Sequence, residues 1–515
     1  MEGGSMTEQQ ETKKGFQFPG TMTVLVIVTF LVWLAAFLIP SGTYDRDEDG
    51  APAPGSYQRV DSPQDFGERV EDLFLAPVNG LYGLQDPETG FVRPFGVGSL
   101  FGAVGVFAFV LAIGAFMTMV LATGALDTAI GRLAHRVQAR PWLVIVAVMA
   151  LFSLLGTTMG WADETLGFYA LLIPLLLALG YDRMVVAGTT IASATVGAMA
   201  STVNPFSIGV ASEFAGVGIG DGMGLRWLGW LVLTSITIAY VVRYAERIKA
   251  QPDRSLVGFP AEDAELVQKE ESAADLVLTG RQKAVLAITA FTFALLVFSV
   301  VPWDSIIDLG VEIDPVSHEP VPNDPWWNLG WWFPELIALF LVAAVVVGLV
   351  AGYGEKEITG NIARGFGDFI GAAVAVVLAR GVTVLLNNTQ TIDTILSWME
   401  DAVGGTDSAV FIGLVTIINT GIAFIIPSSS GHATLAMPLL APLGDFADVS
   451  RPLVVTAWSW GAGVARFITP TSAVVMAGIA LADVRYDRWI RFMLPLMGIL
   501  LVASLVMLGI AAALE

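Results

Sequence analysis

"NTGIAFIIPSSSGHATLAMPLLAPLG", residues 419–444, has the length and apolarity of a membrane span, but Pro-Ser-Ser-Ser-Gly-His breaks it at the centre. A helix crossing a bilayer satisfies its backbone internally and tolerates little irregular structure at mid-depth. Either this stretch lies outside a membrane or it turns back within one.

The rest of the chain places it in a membrane. Of 515 residues, 55% are hydrophobic and only 14% charged, where a soluble chain carries about 25% charged residues. Several stretches of about 20 residues carry almost no charge, enough to cross the hydrocarbon core as helices. This predicts an all-α integral membrane protein, multi-pass, in the cytoplasmic membrane of a bacterium or archaeon. The absence of cysteine removes disulfides, Fe–S clusters and thiolate metal sites. No GxxxxGK[ST] loop is present to hold ATP phosphates. The net charge of −21 reads as solvated acidic loops, with a salt-adapted host as the alternative. Membrane lipid is an expected partner and nucleic acid is not. Met1–Ser5, "MEGGS", reads as a segment appended before a second start at Met6.

Nine uninterrupted candidates for spans are 21–40, 98–123, 184–212, 226–243, 283–301, 333–352, 367–387, 452–480 and 491–513; segments 142–179 and 409–443 are interrupted. Basic residues mark cytoplasmic loops. Loop 41–97 has eleven acids against four arginines and loop 302–332 has six acids and no base, so both face outward. Loop 388–407, also without a base, joins them. Arg132, Arg136 and Arg140 turn loop 124–141 inward, as the basic residues of 244–282 and Arg485, Arg488 and Arg491 do for theirs. The alternation closes only if 142–179 starts and ends inside and 409–443 starts and ends outside. Each is therefore expected to be a re-entrant hairpin, with arms of about 14 residues reaching roughly 21 Å. Pro427–His432 is then a hairpin tip.

The two hairpins share a pattern. "ALLIPLLLALG" (170–180) aligns with "TLAMPLLAPLG" (434–444), "TGALDTAI" (123–130) with "TQTIDTIL" (389–396), and "TVNPFSIGVA" (202–211) with "FITPTSAVVM" (467–476), at offsets of 264 to 266. Two halves of opposite orientation follow, an inverted repeat of the kind that builds secondary transporters. The expected parts are 6–123 as first-repeat scaffold, 141–243 as first transport part, 244–282 as a cytoplasmic loop, 283–387 as connecting span and second scaffold, and 408–515 as second transport part.

Four interruptions should meet at mid-membrane: Gly156–Thr165, Ser201–Phe206, Pro427–His432 and Thr469–Ser472. Broken helix ends offer N–H donors to anions and carbonyls to cations. The substrate candidates are Thr158, Asp163, Glu164, Asn204, Ser428, Ser429, Ser430, His432, Arg466, Thr469 and Thr471. Neutral oxygens at Thr157, Thr158, Ser201, Asn204, Ser429 and Thr471 suit sodium; Asp163, Glu164 or His432 would titrate if protons drive transport instead. No other cofactor is expected. Buried charges are costly in a bilayer, which singles out Asp163, Glu164, Arg380 and Arg466. Each guanidinium is matched either to a substrate carboxylate or to a structural ion pair with Asp163 or Glu164. Asn387 and Asn388 are polar groups at the end of the Arg380 span.

The stretches "GTTMGWADETLGFYALLIPLLLALGYD", "NPFSIGVA", "LARGVTVLLNNTQTIDTIL", "IPSSSGHATLAMPLLAPLGDFADVSRPLV" and "ITPTSAVVMAGIAL" resemble the YfcC-like branch of the C4-dicarboxylate anaerobic carrier (DcuC) family, over most of the chain from about Phe18. The family belongs to the ion-transporter superfamily. The resemblance implies a scaffold, a mobile transport domain with two opposed hairpins, an elevator motion and a homodimer. It places substrate and sodium at the hairpin tips and at the "NPF" and "TPTS" breaks. Family members are described as dicarboxylate carriers or basic amino-acid exchangers. Where the family pattern reads "GDGLTNLI", this chain reads "GAGVARFI", with Ala462 and Arg466. That favours a small carboxylate-bearing substrate over the alternative, a basic amino-acid antiporter of the arginine/ornithine type.

Overall fold

The computed structural model describes residues 21–45, 52–86, 89–136, 140–260, 263, 277–301, 303, 307, 311–313, 320–322, 325–403, 406–425, 428–470 and 472–515. Pro427 and Thr471 lie outside these residues, as do the side chains of Asp163 and Glu164.

The described chain is helical apart from short antiparallel strand pairings in the loops, such as Leu84 with Arg93 and with Leu100. The first group of helices is α1 (Thr21–Ala35), α2 (Phe66–Tyr82), α3 (Val104–Ala122) and α4 (Ala125–Arg136). Then come α5 (Pro141–Met159), a 3₁₀ turn (Asp163–Phe168), α6 (Tyr169–Ala178), α7 (183–199), α8 (205–215) and α9 (Met223–Ala250). The remainder is α10 (Gly280–Val300), α11 (Phe333–Ala351), α12 (Glu355–Asn388), α13 (Ile392–Val403), α14 (Ser408–Ile425), α15 (Ser429–Phe446), α16 (Arg451–Ala465), α17 (Ala473–Leu481) and α18 (Tyr486–Leu514). Seven of the described helices are long and apolar enough to cross a membrane.

The helix ends follow local chemistry. Pro141 opens α5 and left-handed Gly160 closes it. Asp182, Ser428 and Ser450 each accept a backbone N–H at the start of α7, α15 and α16. These caps satisfy donors that a helix start leaves free.

Two packed groups emerge. In one, α3 lies between α11 and α12, α1 and α2 pack on α12, and α10 packs on α11. In the other, α5 packs on α7 and α9, and α14 packs on α16 and α18 in the same relation. The groups touch where α12 meets α15. The second half also repeats the first in how its tails cross over: α8 packs on α15, and α17 packs on the 3₁₀ turn before α6. Arg183 at the start of α7 pairs with Asp483 just after α17 at 2.8 Å. Arg451 at the start of α16 donates to the carbonyl of Ala215 at the end of α8, at 3.1 Å.

Three features differ from the sequence expectation. The first arms, α5 and α14, have 19 and 18 residues instead of about 14, while α6 has only 10. The interruption of 142–179 therefore sits off-centre, with the 3₁₀ turn between the arms, and α5 is itself long and apolar enough to cross a membrane. Loops 124–141 and 388–407 contain amphipathic helices, α4 and α13. Loop 41–97 contains α2, which packs on α12.

Candidate functional site

The first tip is seated directly on the first break. A Cβ at Gly160, whose φ is +71°, would meet Asn204 Oδ1 and the Phe206 ring, each at 2.7 Å. Thr157 Oγ1 donates to the carbonyl of Ala200 at 2.6 Å, and the Thr202 N–H donates to the carbonyl of Thr157 at 3.0 Å. Asn204 Nδ2 donates to Ser201 Oγ at 3.1 Å, and Ser207 Oγ donates to the same oxygen at 2.9 Å. Asn204 Oδ1 accepts the Phe206 N–H at 2.9 Å and caps the turn that Pro205 opens. Pro205 removes an N–H and holds Asn204 out of helical geometry. Thr157, Ser201, Asn204 and Ser207 thus bond to one another or to nearby carbonyls, while the buried Trp161 Nε1 of the same tip has no partner among the described residues.

The second half is built alike but left open. Thr469 Oγ1 donates to the carbonyl of Phe424 at 3.3 Å, joining break to hairpin. Thr420 Oγ1 donates to the carbonyl of Gly461 at 2.8 Å, the counterpart of the Thr157 bond. The carbonyls of Phe467 and Ile468 are held by the Trp489 indole at 2.9 Å and the Tyr486 hydroxyl at 2.6 Å. His432 is fully buried, with Nε2 2.9 Å from Asn419 Oδ1 and its ring edge-on to Trp458 at 5.5 Å. His432 Nδ1 has no hydrogen-bond partner among the described residues. Arg466 ends α16; its Nε and Nη2 are screened from solvent and also without partners among the described residues, while the residue as a whole is part-exposed. The charge of Arg466 is within electrostatic reach of His432.

The halves meet at the breaks. Ser459 Oγ donates to the carbonyl of Met199 at 3.1 Å, and a Cβ on Gly463 would strike the Met199 side chain.

The structure thus brings together Thr157, Ser201 and Asn204 in one half, and His432, Arg466 and Thr469 in the other. Ser428 caps α15 through the Gly431 N–H at 3.3 Å, Ser429 opens the helix half-buried, and Ser430 beside it is buried. Thr158 stands apart, since its hydroxyl donates to Leu154 in its own helix at 2.8 Å. Asp163 and Glu164 begin the 3₁₀ turn. Arg380 is elsewhere: Nε donates to the carbonyl of Phe101 at 2.8 Å, and its guanidinium lies over the rings of Phe101 (3.8 Å) and Phe214 (4.8 Å). Asn387 Nδ2 donates to the Gly90 carbonyl at 2.8 Å, and Asn388 Nδ2 to Asp72 at 3.0 Å, so these two tie α12 to loop 41–97. Thr202, Ser207, Asn419, Thr420 and Trp458 belong to the clusters but escaped the sequence reading. Thr420 was within reach of it, because the repeat offset carries Thr157 nearly onto it. Glu213, whose carboxylate feels the Arg380 charge, was open to the same argument as the other buried charges.

Among the described residues no three His, Cys, Asp or Glu side chains gather to hold a metal. The oxygens of the first half are neutral hydroxyls, carbonyls and an amide, the donor type of a hard monovalent cation.

The family described as C4-dicarboxylate anaerobic carrier, DcuC, matches residues 18–513. The chain belongs to this family. It is a multi-pass membrane protein and a secondary transporter, not an enzyme. Membership bears out the resemblance drawn from the motifs. Two relatives align over nearly their whole length: an uncharacterised protein of Haemophilus influenzae, 27% identical over 98% of this chain and 99% of its own, and Escherichia coli YfcC, provisionally named a basic amino acid antiporter, 28% identical over 98% of each. Two solved structures share the fold at 18% identity. Neisseria gonorrhoeae MtrF, described among antimetabolite efflux pumps, has a TM-score of 0.65 over 96% of both chains. Alcanivorax borkumensis YdaH, a transporter described as having an unusual topology, has 0.67 over 96% of this chain and 98% of its own.

Proposed function

We propose that this DcuC-family protein carries a small carboxylate-bearing metabolite across the cytoplasmic membrane by an elevator motion. The observation behind this reading is Arg466. Its Nε and Nη2 form one edge of the guanidinium, and neither has a partner among the described residues. A desolvated donor left unmatched costs about 1–3 kcal/mol. A carboxylate accepts two parallel bonds from that edge, and the neighbouring His432 Nδ1 offers a further polar contact.

The two packed groups correspond to a scaffold (α1–α3, α10–α12) and a transport part (α5–α9, α14–α18). The Arg183–Asp483 pair joins one end of each broken span and the Arg451–Ala215 bond the other, which supports an inverted repeat with re-entrant hairpins. Thr157, Ser201 and Asn204 would hold a coupling sodium, and the working unit is a homodimer. The second reading is a basic amino-acid antiporter, favoured by the name of YfcC and by Asp163 and Glu164 at the first tip.

The test is substrate affinity and thermal stability of Arg466→Lys, Arg466→Ala and Arg466→Ala/Glu164→Gln, with uptake measured in proteoliposomes with and without an imposed sodium gradient. Arg466→Lys keeps the charge but loses the fork, and should weaken carboxylate binding by about 1–3 kcal/mol. Arg466→Ala should cost at least as much while the protein stays folded. Undiminished carboxylate affinity in Arg466→Ala overturns the anion role and leaves the antiporter. Loss of stability in Arg466→Ala, restored by Glu164→Gln, would instead mark a structural ion pair.

A further inference from the structure

One hydrogen bond of the second half fixes more than position. Asn419 on α14 and His432 on α15 face each other, with His432 Nε2 2.9 Å from Asn419 Oδ1. Which atom carries the proton follows from the far side of the amide. Asn419 Nδ2 donates to the carbonyl of Val415, one turn back in the same helix, at 2.8 Å. Turned over, the amide would set its oxygen against that carbonyl, so Oδ1 is the atom that faces the ring. An amide oxygen only accepts. The proton of the shared bond therefore sits on His432 Nε2.

The ring has one further nitrogen. His432 is 1% exposed, and no carboxylate bonds to it among the described residues. The charge that acts on it is that of Arg466. A second buried cation near a first, without a counter-ion, is strongly unfavourable, so the imidazole is neutral. A neutral imidazole with its proton on one nitrogen keeps a bare lone pair on the other. Nδ1 is thus an acceptor, and it is the ring atom without a partner among the described residues. The Trp458 ring packs edge-on at 5.5 Å and confines the imidazole. His432 and Arg466 therefore ask opposite things of a ligand. The open edge of Arg466 presents two donors, whereas His432 Nδ1 presents a lone pair. A bare carboxylate answers only the first, because its own oxygens would meet Nδ1 acceptor to acceptor.

We propose that His432, oriented by Asn419, is a specificity residue that selects carboxylates with an O–H or N–H donor near the acid group, the 2-hydroxy and 2-amino acids, over the same skeletons without one. The inference rests on the carboxylate reading of Arg466 and narrows its substrate class. Asn419 acts through the ring and is a positioning residue.

The test is binding to the purified protein of two series that differ only at the second carbon: L-malate, L-aspartate, succinate and oxaloacetate, then L-lactate, L-alanine, propionate and pyruvate. In at least one series the hydroxy or amino acid should bind at least ~10-fold tighter than the unsubstituted acid, as befits a buried acceptor matched rather than unmatched. The keto acid, which brings a further acceptor, should bind weakest. Malate against aspartate, and lactate against alanine, tells a hydroxyl from an ammonium. His432→Phe should bring the members of a series together. Asn419→Asp should put a proton on Nδ1, since a carboxylate stabilises the imidazolium, and the keto acid should then gain affinity. If these variants fail to fold, nitrogen NMR of the unaltered pair decides. The chain has three histidines; with His135→Gln and His318→Gln in place, the remaining one should show a protonated Nε2 and a bare Nδ1. The opposite tautomer, an imidazolium, equal binding across both series or binding of none of the eight acids overturns the proposal. Selection at the second carbon that persists while Arg466→Ala keeps full affinity sinks the Arg466 reading only; Arg466-dependent binding without that selection sinks this one only.

Discussion

A side chain on Gly461 would overlap the backbone carbonyl of Thr416, and one on Gly197 would overlap that of Ser153. The two glycines occupy equivalent places in the two halves. Each lets α5 or α14 approach the helix before the break at backbone distance, and a threonine bond crosses each pair of helices nearby (Thr157 to Ala200, Thr420 to Gly461). Small residues make such contacts in membranes, where packing replaces the hydrophobic effect. Gly461→Val should therefore cost more than the usual 1–3 kcal/mol of overpacking, because a backbone carbonyl cannot move aside. Gly498→Ala, with nothing near the added carbon, serves as the control. Thermal unfolding in detergent should show a large fall for the first and none for the second; equal melting of both would refute the close-contact argument.

At the level of elements, α2 teaches the most. Arg69, Asp72 and Asn79 are buried while Phe66 and Phe74 are 68% and 77% exposed. The helix turns polar groups inward and aromatic groups outward. Arg69 donates to the carbonyl of Ala36 at 2.7 Å, and Asp72 accepts from Gln64 and Asn388. Its axis meets α12 through Gly381, where a Cβ would lie 2.6 Å from the Ala76 carbonyl. Gly381→Val should lift α2 from α12. A cysteine at buried Asn79 should then react with a thiol reagent in the variant and not in its absence; unchanged protection would mean that α2 is held by its loops alone. The same helix shows where sequence reading stops. The broken helices were legible, because Pro205 and Pro470 mark the breaks, whereas the re-entrant hairpins remain a proposal that the loop charges support. Helix α2 was hidden because its eleven-acid loop looks solvated, whereas its polar face is a buried network. The motifs at α4 and α13 were recognised as a repeat but read as loops, since their amphipathic pattern is too polar to cross a membrane. Which polar groups are left unpaired was not legible at all: Asn204 is bonded through both its amide atoms while His432 Nδ1 and the Arg466 edge are not, and this depends on distances of a few tenths of an ångström.

For the whole molecule, the proposed inversion places Asp182 and Asp445 on opposite sides of the membrane. Single cysteines near Asp182 should label from inside and those near Asp445 from outside; labelling of both from one side ends the inverted-repeat reading. The crossed tails carry a further consequence, for biosynthesis. Helix α8 finds its packing partner in α15 and Ala215 its donor in Arg451, both in the other half of the chain. When α8 leaves the ribosome, that partner has not been made. At about 5–20 residues per second, the wait before Arg451 emerges is on the order of 10–50 s. Throughout that interval the Asn204 turn and the carboxylate of Glu213 sit in or beside the membrane without the surfaces that later cover them. The nascent first half is thus exposed until its partners arrive, and slowing translation between the two halves should increase its proteolysis more than the same slowing imposed after α16 has emerged.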